Sequence, residues 1–226
     1  MRLILLLSFV IVSGCDLGTY SKRYSERIGT MTSMANSNKN LADTQISVGG
    51  GAKFRIPKIC YYEGSGEYTS GSDDNLARIP GIDLKGFTAS YLGDVEYESK
   101  FLPFQIYFYF VGKDVYPGAQ EAQTEIKKEI RTVLKNTEIS WSNQTIVAYD
   151  GTEHAWATAT VTAGLPFSVF QDGSPKPTNL PGRMDLCLTT NNGGTLIVVF
   201  RAPADIFGHD QEPLVEGTLK SIQGFK

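Results

Sequence analysis

Residues 104–111 read Phe-Gln-Ile-Tyr-Phe-Tyr-Phe-Val, and Gln105 is the one side chain among them that is neither aromatic nor aliphatic. Aromatic and β-branched residues favour extended backbone. Successive side chains of a strand point to opposite faces, so this run is apolar on both. It therefore belongs in the middle of a sheet that is covered on both sides. With 226 residues, 41% of them hydrophobic, the chain is long enough for one such core.

The flanking sequence supplies the rest of that architecture. Lys53 to Ile59 alternates Phe54 and Ile56 against Lys53, Arg55 and Lys58, and Pro57 puts this strand at an edge or at its end. Glu63 to Asn75 is a polar Gly/Ser loop, in which Ser70 to Asn75 reads as a turn. Phe87, Ala89, Tyr91, Val95 and Tyr97 continue an alternating strand. After Tyr116-Pro117-Gly118 the period becomes 3.6, with Ala119, Ala122, Ile126, Ile130 and Val133 on one stripe, as in a helix packed on a sheet. Alternation returns at Ile146 and Ala148, at Ala155 to Val161, at Leu186 and Leu188, and at Leu196 to Phe200. Asn191-Asn192-Gly193-Gly194 is suited to a tight hairpin between the last pair. Ala155, Ala157 and Ala159 offer a low surface on which a helix can lie close. Asp210-Gln211-Glu212-Pro213 reads as the start of a closing helix with Leu214, Val215, Leu219 and Ile222 on its buried stripe. The fold class is α+β: a single domain over 52–226, with an antiparallel β-sheet flanked by helices.

Upstream, Met1-Arg2 and the apolar run Leu3 to Val12 form a secretion signal, too short for the roughly 20 apolar residues of a membrane-spanning helix. The residues Val12-Ser13-Gly14-Cys15 resemble the bacterial lipobox, which implies cleavage of a signal peptide over 1–14 and lipidation of Cys15. Residues 15–51, rich in Ser, Thr, Asn and Gly, read as a flexible tether, with Gly49-Gly50-Gly51 as its joint. The expected location is a bacterial membrane, with the domain facing the periplasm or the exterior.

The edge strand with Phe54, Ile56 and Pro57, Trp141 and Trp156 around a hairpin, Leu186 to Leu188, the strand Val198-Val199-Phe200-Arg201 and the closing helix together resemble the PsbP-like α/β/α sandwich. The resemblance covers 52–226 in element order and implies action by binding partners.

Chemistry is sparse. The sequence lacks GxSxG, HExxH, a Walker A loop, GxGxxG and CxxC, and has two histidines, His154 and His209. Asp150, Glu153 and His154 share one turn and are the nearest thing to a hydrolytic group; the simpler reading is a polar hairpin end. Asp94, Glu96 and Glu98 alternate, so a strand there projects three carboxylates from one face, either as Ca²⁺ donors or as a charged face that discourages strand pairing. Cys60 and Cys187 can form a disulfide in an oxidising compartment, worth ~4–5 kcal/mol in the chain-entropy model; two buried free thiols are the alternative. No cofactor is implied. From residue 52 onward 16 basic face 21 acidic side chains, which speaks against nucleic acid. The leading expectation is a lipid-anchored envelope protein acting as a binding or scaffolding module. It would reach the membrane through its anchor and contact another envelope protein or a small ligand. The alternative is a hydrolase using Asp150, Glu153 and His154.

Overall fold

The computed structural model describes residues 39–65, 79, 82–98, 100–135, 137–171, 174–207 and 212–225. The signal segment, Cys15, the Ser70 to Asn75 turn and His209 lie outside them. The described residues form one α+β unit dominated by antiparallel pairing. Strands β1 (Leu41–Ser47) and β2 (Lys53–Pro57) make a two-stranded sheet. The main sheet has seven strands: β3 (Cys60–Ser65), β4 (Phe87–Tyr97), β5 (Lys100–Gly112), β6 (Ser142–Val147), β7 (Glu153–Gln171), β8 (Ser174–Thr190) and β9 (Gly194–Pro203). Their order is β3-β4-β5-β9-β8-β7-β6. Helix α1 (Ala119–Val133) precedes β6, and α2 (Ala204–Phe207) and α3 (Glu212–Lys220) follow β9.

The aromatic run lies in β5, an interior strand between β4 and β9, as its two-faced apolarity requires. Phe104, Ile106 and Phe108 share one core with Phe54 and Ile56 of β2, Trp156, and Leu214 and Leu219 of α3. Phe108 packs 5.2 Å from the Phe54 ring and edge-on to Tyr91. Tyr107, Tyr109 and Val111 enter a second core with Ala122, Ile126 and Ile130 of α1 and with Ala157 and Ala159 of β7. The low alanine surface is thus buried at 157 and 159, whereas Ala155 stays exposed. Helix α1 begins at an extended Gly118, with Glu121 in its first turn and Arg131 in its last, matching the helix dipole. Val133 at its end remains exposed.

Two expectations fail at the start of the domain. Residues 41–51, read as the end of the tether, are β1 and a turn: Leu41 and Val48 are buried, and Gln45, Ile46 and Ser47 pair with Arg55, Phe54 and Lys53. The Gly49-Gly50-Gly51 run is not a joint but a tight closure, with Ala52 N–H donating to Gly49 O at 2.9 Å. Gly49 and Gly50 have φ of +97° and +58°, and a Cβ on Gly49 would lie 2.8 Å from Phe110 Cβ. Small size and left-handed backbone let this turn lie on Phe110, and both favour glycine.

β7 and β8 are longer than their sequence periods suggested, 19 and 17 residues. They pair with each other as far as Gln171 and Ser174, whereas β9 accompanies β8 only to Gly182. The overhang carries Leu165 and Phe167 into the second core. Gly182 permits this, since a Cβ there would meet Leu165 Cδ1 at 2.8 Å and Phe167 Cε2 at 2.9 Å. Arg201 of β9, 1% exposed, fastens the arm: Nη2 donates to Pro166 O, Nη1 donates to Gln105 Oε1, and Cζ sits 4.3 Å from the centroid of the Phe167 ring.

Candidate functional site

Two surfaces carry chemistry, on opposite faces and at opposite ends of the sheet. The first forms where the β6–β7 and β8–β9 hairpins meet the C-terminal residues. Both turns are set by side chains that accept backbone N–H groups: Asp150 Oδ1 from Thr152 at 2.9 Å, and Asn191 Oδ1 from Gly193 at 2.8 Å and Gly194 at 3.0 Å. The chain end is fixed by reciprocal backbone bonds between Lys53 and Gln223, which seat Phe225 against the first core. Together they border an open cleft of about 540 Å³ whose walls include Thr152, His154, Thr189, Asn191 and Phe225.

His154 pairs with Ile146 and shares the face of Trp156, so it enters the cleft from the sheet and is 7% exposed. Burial pushes its imidazole below the ordinary value of 6.5, and Asp150 opposes that shift. The ring is therefore neutral near neutral pH. Of the expected hydrolytic group, the structure brings Asp150, Glu153 and His154 to one hairpin but does not join them. Glu153 is next to His154 in the strand, so its side chain leaves on the opposite face. Asp150 spends one carboxylate oxygen on the turn. His154 makes no side-chain hydrogen bond among the described residues.

The second surface is the corner made by β3, β4 and β5. The strand registers align Tyr61 with Leu92 and Gln105, Asp94 with Pro103, and Glu96 with Phe101, all on the face of the second core. β5 pairs with β9 only from Gln105 onward, so its first residues and the β4–β5 hairpin overhang the sheet. Among the described residues, three of the six large apolar side chains that stay exposed are gathered at this corner: Ile59, Tyr61 at 54% and Phe101 at 61%. Exposed Asp94 and Glu96 stand between the two apolar flanks.

The expectation of three carboxylates on one strand face is corrected here. Asp94 and Glu96 share a face, but Glu98 belongs to the two-residue β4–β5 turn, with φ +49°. No group of three His, Cys, Asp or Glu side chains suited to a metal occurs among the described residues. Of the two alternatives for Cys60 and Cys187, the structure has the pair of free thiols. β3 and β8 are four strand spacings apart in the sheet, about 19 Å at ~4.8 Å each, against about 4.4–6.8 Å between bridged Cα atoms. Burial pushes the Cys60 thiol up to about 12, with Asp94 adding to the shift, and raises Cys187 further.

Sequence reasoning missed Thr189, Asn191 and Phe225 as cleft residues, and Ile59, Tyr61 and Phe101 as a patch. Phe101 did leave a signal, since it lies out of phase with the buried Phe104, Ile106 and Phe108. No helix among the described residues is long and apolar enough to cross a membrane.

No protein-family profile and no curated protein sequence matches the chain. Among solved structures, the chain is similar to cyanobacterial PsbP (CyanoP) from Synechocystis sp. PCC 6803, in solution, with 13% identity and a TM-score of 0.45 over 82% of this chain and 92% of that one.

Proposed function

We propose that this chain is a lipid-anchored protein of the bacterial envelope, held by Cys15, whose globular unit is a binding or scaffolding module of the α/β/α, PsbP-like kind. In this reading it docks on another envelope protein through the β3–β4–β5 corner. The observation that carries it is the exposure of Tyr61 and Phe101 on either side of Asp94 and Glu96. Exposed aromatic side chains are the usual anchors of protein interfaces, and a gathered apolar patch costs solvation unless a partner covers it. The two carboxylates are ~7 Å apart along the strand, so they suit a partner that presents two basic side chains at that spacing. They also disfavour direct contact with anionic headgroups. Packing of α1 in one core and α3 in the other supports the α/β/α architecture. Hydrolysis at Asp150, Glu153 and His154 ranks second, because the three groups do not converge.

A photo-crosslinking side chain at position 101, in membranes that carry the full protein, tests the docking surface. A defined adduct is expected from 101, to be lost on Asp94→Asn/Glu96→Gln and weak from a control at Val133. Equal adducts from both positions, or survival of the adduct without the carboxylates, would overturn the assignment. Palmitate labelling of wild type against Cys15→Ser tests the anchor, and equal label in the two would sink it.

A further inference from the structure

We propose that the chain pairs with a second copy of itself, the two joining antiparallel along β6 into one continuous sheet. β6 is the edge of the main sheet opposite to β3, so this surface shares no strand with the β3–β4–β5 corner and neither depends on the other.

Ala148 N–H donates to Thr152 O at 2.8 Å, which makes that couple a hydrogen-bonded pair of the β6–β7 ladder. Bonded and non-bonded pairs alternate along an antiparallel ladder, so Ile146, Gln144 and Ser142 exchange bonds with β7. Asn143, Thr145 and Val147 therefore turn their backbone N–H and C=O away from β7, and all three residues are exposed. None of these outward groups has a backbone partner among the described residues.

Open edges invite pairing, and folded proteins blunt them with charge, proline, bulges or a covering segment. The other edges of this chain are blunted in those ways. β1 has a register shift between Leu41 and Gln45 and an exposed Asp43. β2 is covered by the chain end, where Arg55 N–H donates to Ser221 Oγ at 2.9 Å. β3 shifts register between Tyr62 and Gly64. The unaccompanied start of β5 contains Pro103, and the β7–β8 arm contains Pro166, Pro175, Pro177 and Pro181. β6, Ser-Asn-Gln-Thr-Ile-Val, has no charge, no proline and no bulge.

A second copy is the occupant because this edge complements itself. With Thr145 opposite Thr145 of the second copy, Asn143 faces Val147 of that copy. Every outward group is then paired, each couple exchanging both of its hydrogen bonds. Threonines directly opposite each other are a favourable cross-strand pair, and an uncharged strand meets no like charge in its copy. The same register brings Val147, 50% exposed, diagonally beside Trp141 of the second copy. Trp141 directly precedes β6, is half-buried and packs on the second core, the side to which Asn143, Thr145 and Val147 project. Diagonal neighbours lie about 7–8 Å apart, within reach of an indole, so the exposed valine is covered.

Light scattering on the full-length protein in micelles, over a concentration series, tests the assignment. Wild type is expected to pass from monomer to dimer as concentration rises. Thr145→Lys sets two ammonium groups opposite each other and should weaken the dimer by about tenfold or more. Thr145→Pro should abolish it while the circular dichroism spectrum stays that of wild type, because β7 does not use the N–H that proline removes. Thr145→Val and Phe101→Ser should both leave the dimer intact. If Thr145→Pro fails to fold, Thr145→Lys decides. A photo-crosslinking side chain at position 145 should give an adduct of twice the chain mass. The assignment is overturned if wild type stays monomeric throughout, if the dimer survives Thr145→Lys, if Phe101→Ser abolishes it, or if position 145 captures a different protein in place of a copy.

Discussion

The buried guanidinium of Arg201 lends itself to a double-mutant cycle. Its Nη1 donates to Gln105 Oε1 from β5 and its Nη2 to the Pro166 carbonyl from β7, so one side chain ties together strands three places apart in the sheet. Gln105→Leu removes one acceptor and leaves a charged donor to be satisfied in the interior. Hydrogen bonds to charged groups are worth about 1.5–3 kcal/mol, and an orphaned buried partner adds to the loss, so the substitution should cost about 3 kcal/mol. Adding Arg201→Met removes the charge itself, fills similar volume and keeps contact with the Phe167 ring. The carbonyl of Pro166 is then the remaining orphan, at about 1–3 kcal/mol. The double variant should therefore be more stable than Gln105→Leu alone by about 1 kcal/mol, an inversion that two independent losses cannot produce. Urea unfolding reads this directly. With m near 2 kcal/mol/M, Gln105→Leu lowers the midpoint by about 1.5 M and the double variant recovers about 0.5 M. If the two substitutions add, or if Gln105→Leu leaves the midpoint in place, the Arg201 clamp does not hold the arm as argued.

Other outcomes follow from the same geometry. His154 is held below its ordinary value of 6.5, so the unfolded chain binds the extra proton first as the pH drops. The stability it contributes is full above about pH 6.5 and is lost as pH falls toward the folded value, and His154→Gln should flatten that limb in melting curves between about pH 7 and pH 5. Gly50→Ala puts a Cβ into the Phe110 ring at φ +58°, and thermal unfolding should show a loss of about 2–4 kcal/mol. Tyr61→Ser and Phe101→Ser remove exposed side chains and should leave the melting temperature within about 1–2 °C of wild type. Cys60 and Cys187 should resist a thiol reagent in the folded protein and both react after denaturation without reductant; one or no reactive thiol would contradict the free state found here.

How far the sequence disclosed this molecule depends on the range of the interactions involved. Phe104 to Val111 reported its interior place because burial on both faces is written in consecutive residues. The stripe of Ala122, Ile126 and Ile130 reported its buried side for the same reason. The Gly49-Gly50-Gly51 run misled, because glycine permits both a loose joint and a left-handed closure, and Phe110, sixty residues away, selects between them. The carboxylate row misled by one residue: alternation is a property of strands, and the hairpin turns at Glu98. The cysteine pair stayed ambiguous because strand order, not spacing, sets the distance between β3 and β8. Arg201 sits in an apolar strand whose other side chains announce burial, and nothing local reveals that Gln105 and Pro166 accept its hydrogen bonds. The cleft and the β3–β4–β5 corner share this character. The cleft needs two hairpins and the chain end to converge, and the corner needs β5 to outrun β9 by the residues that carry Phe101. Neither surface is a motif; each is a consequence of strand register, and register is fixed by pairings that no short window of sequence contains.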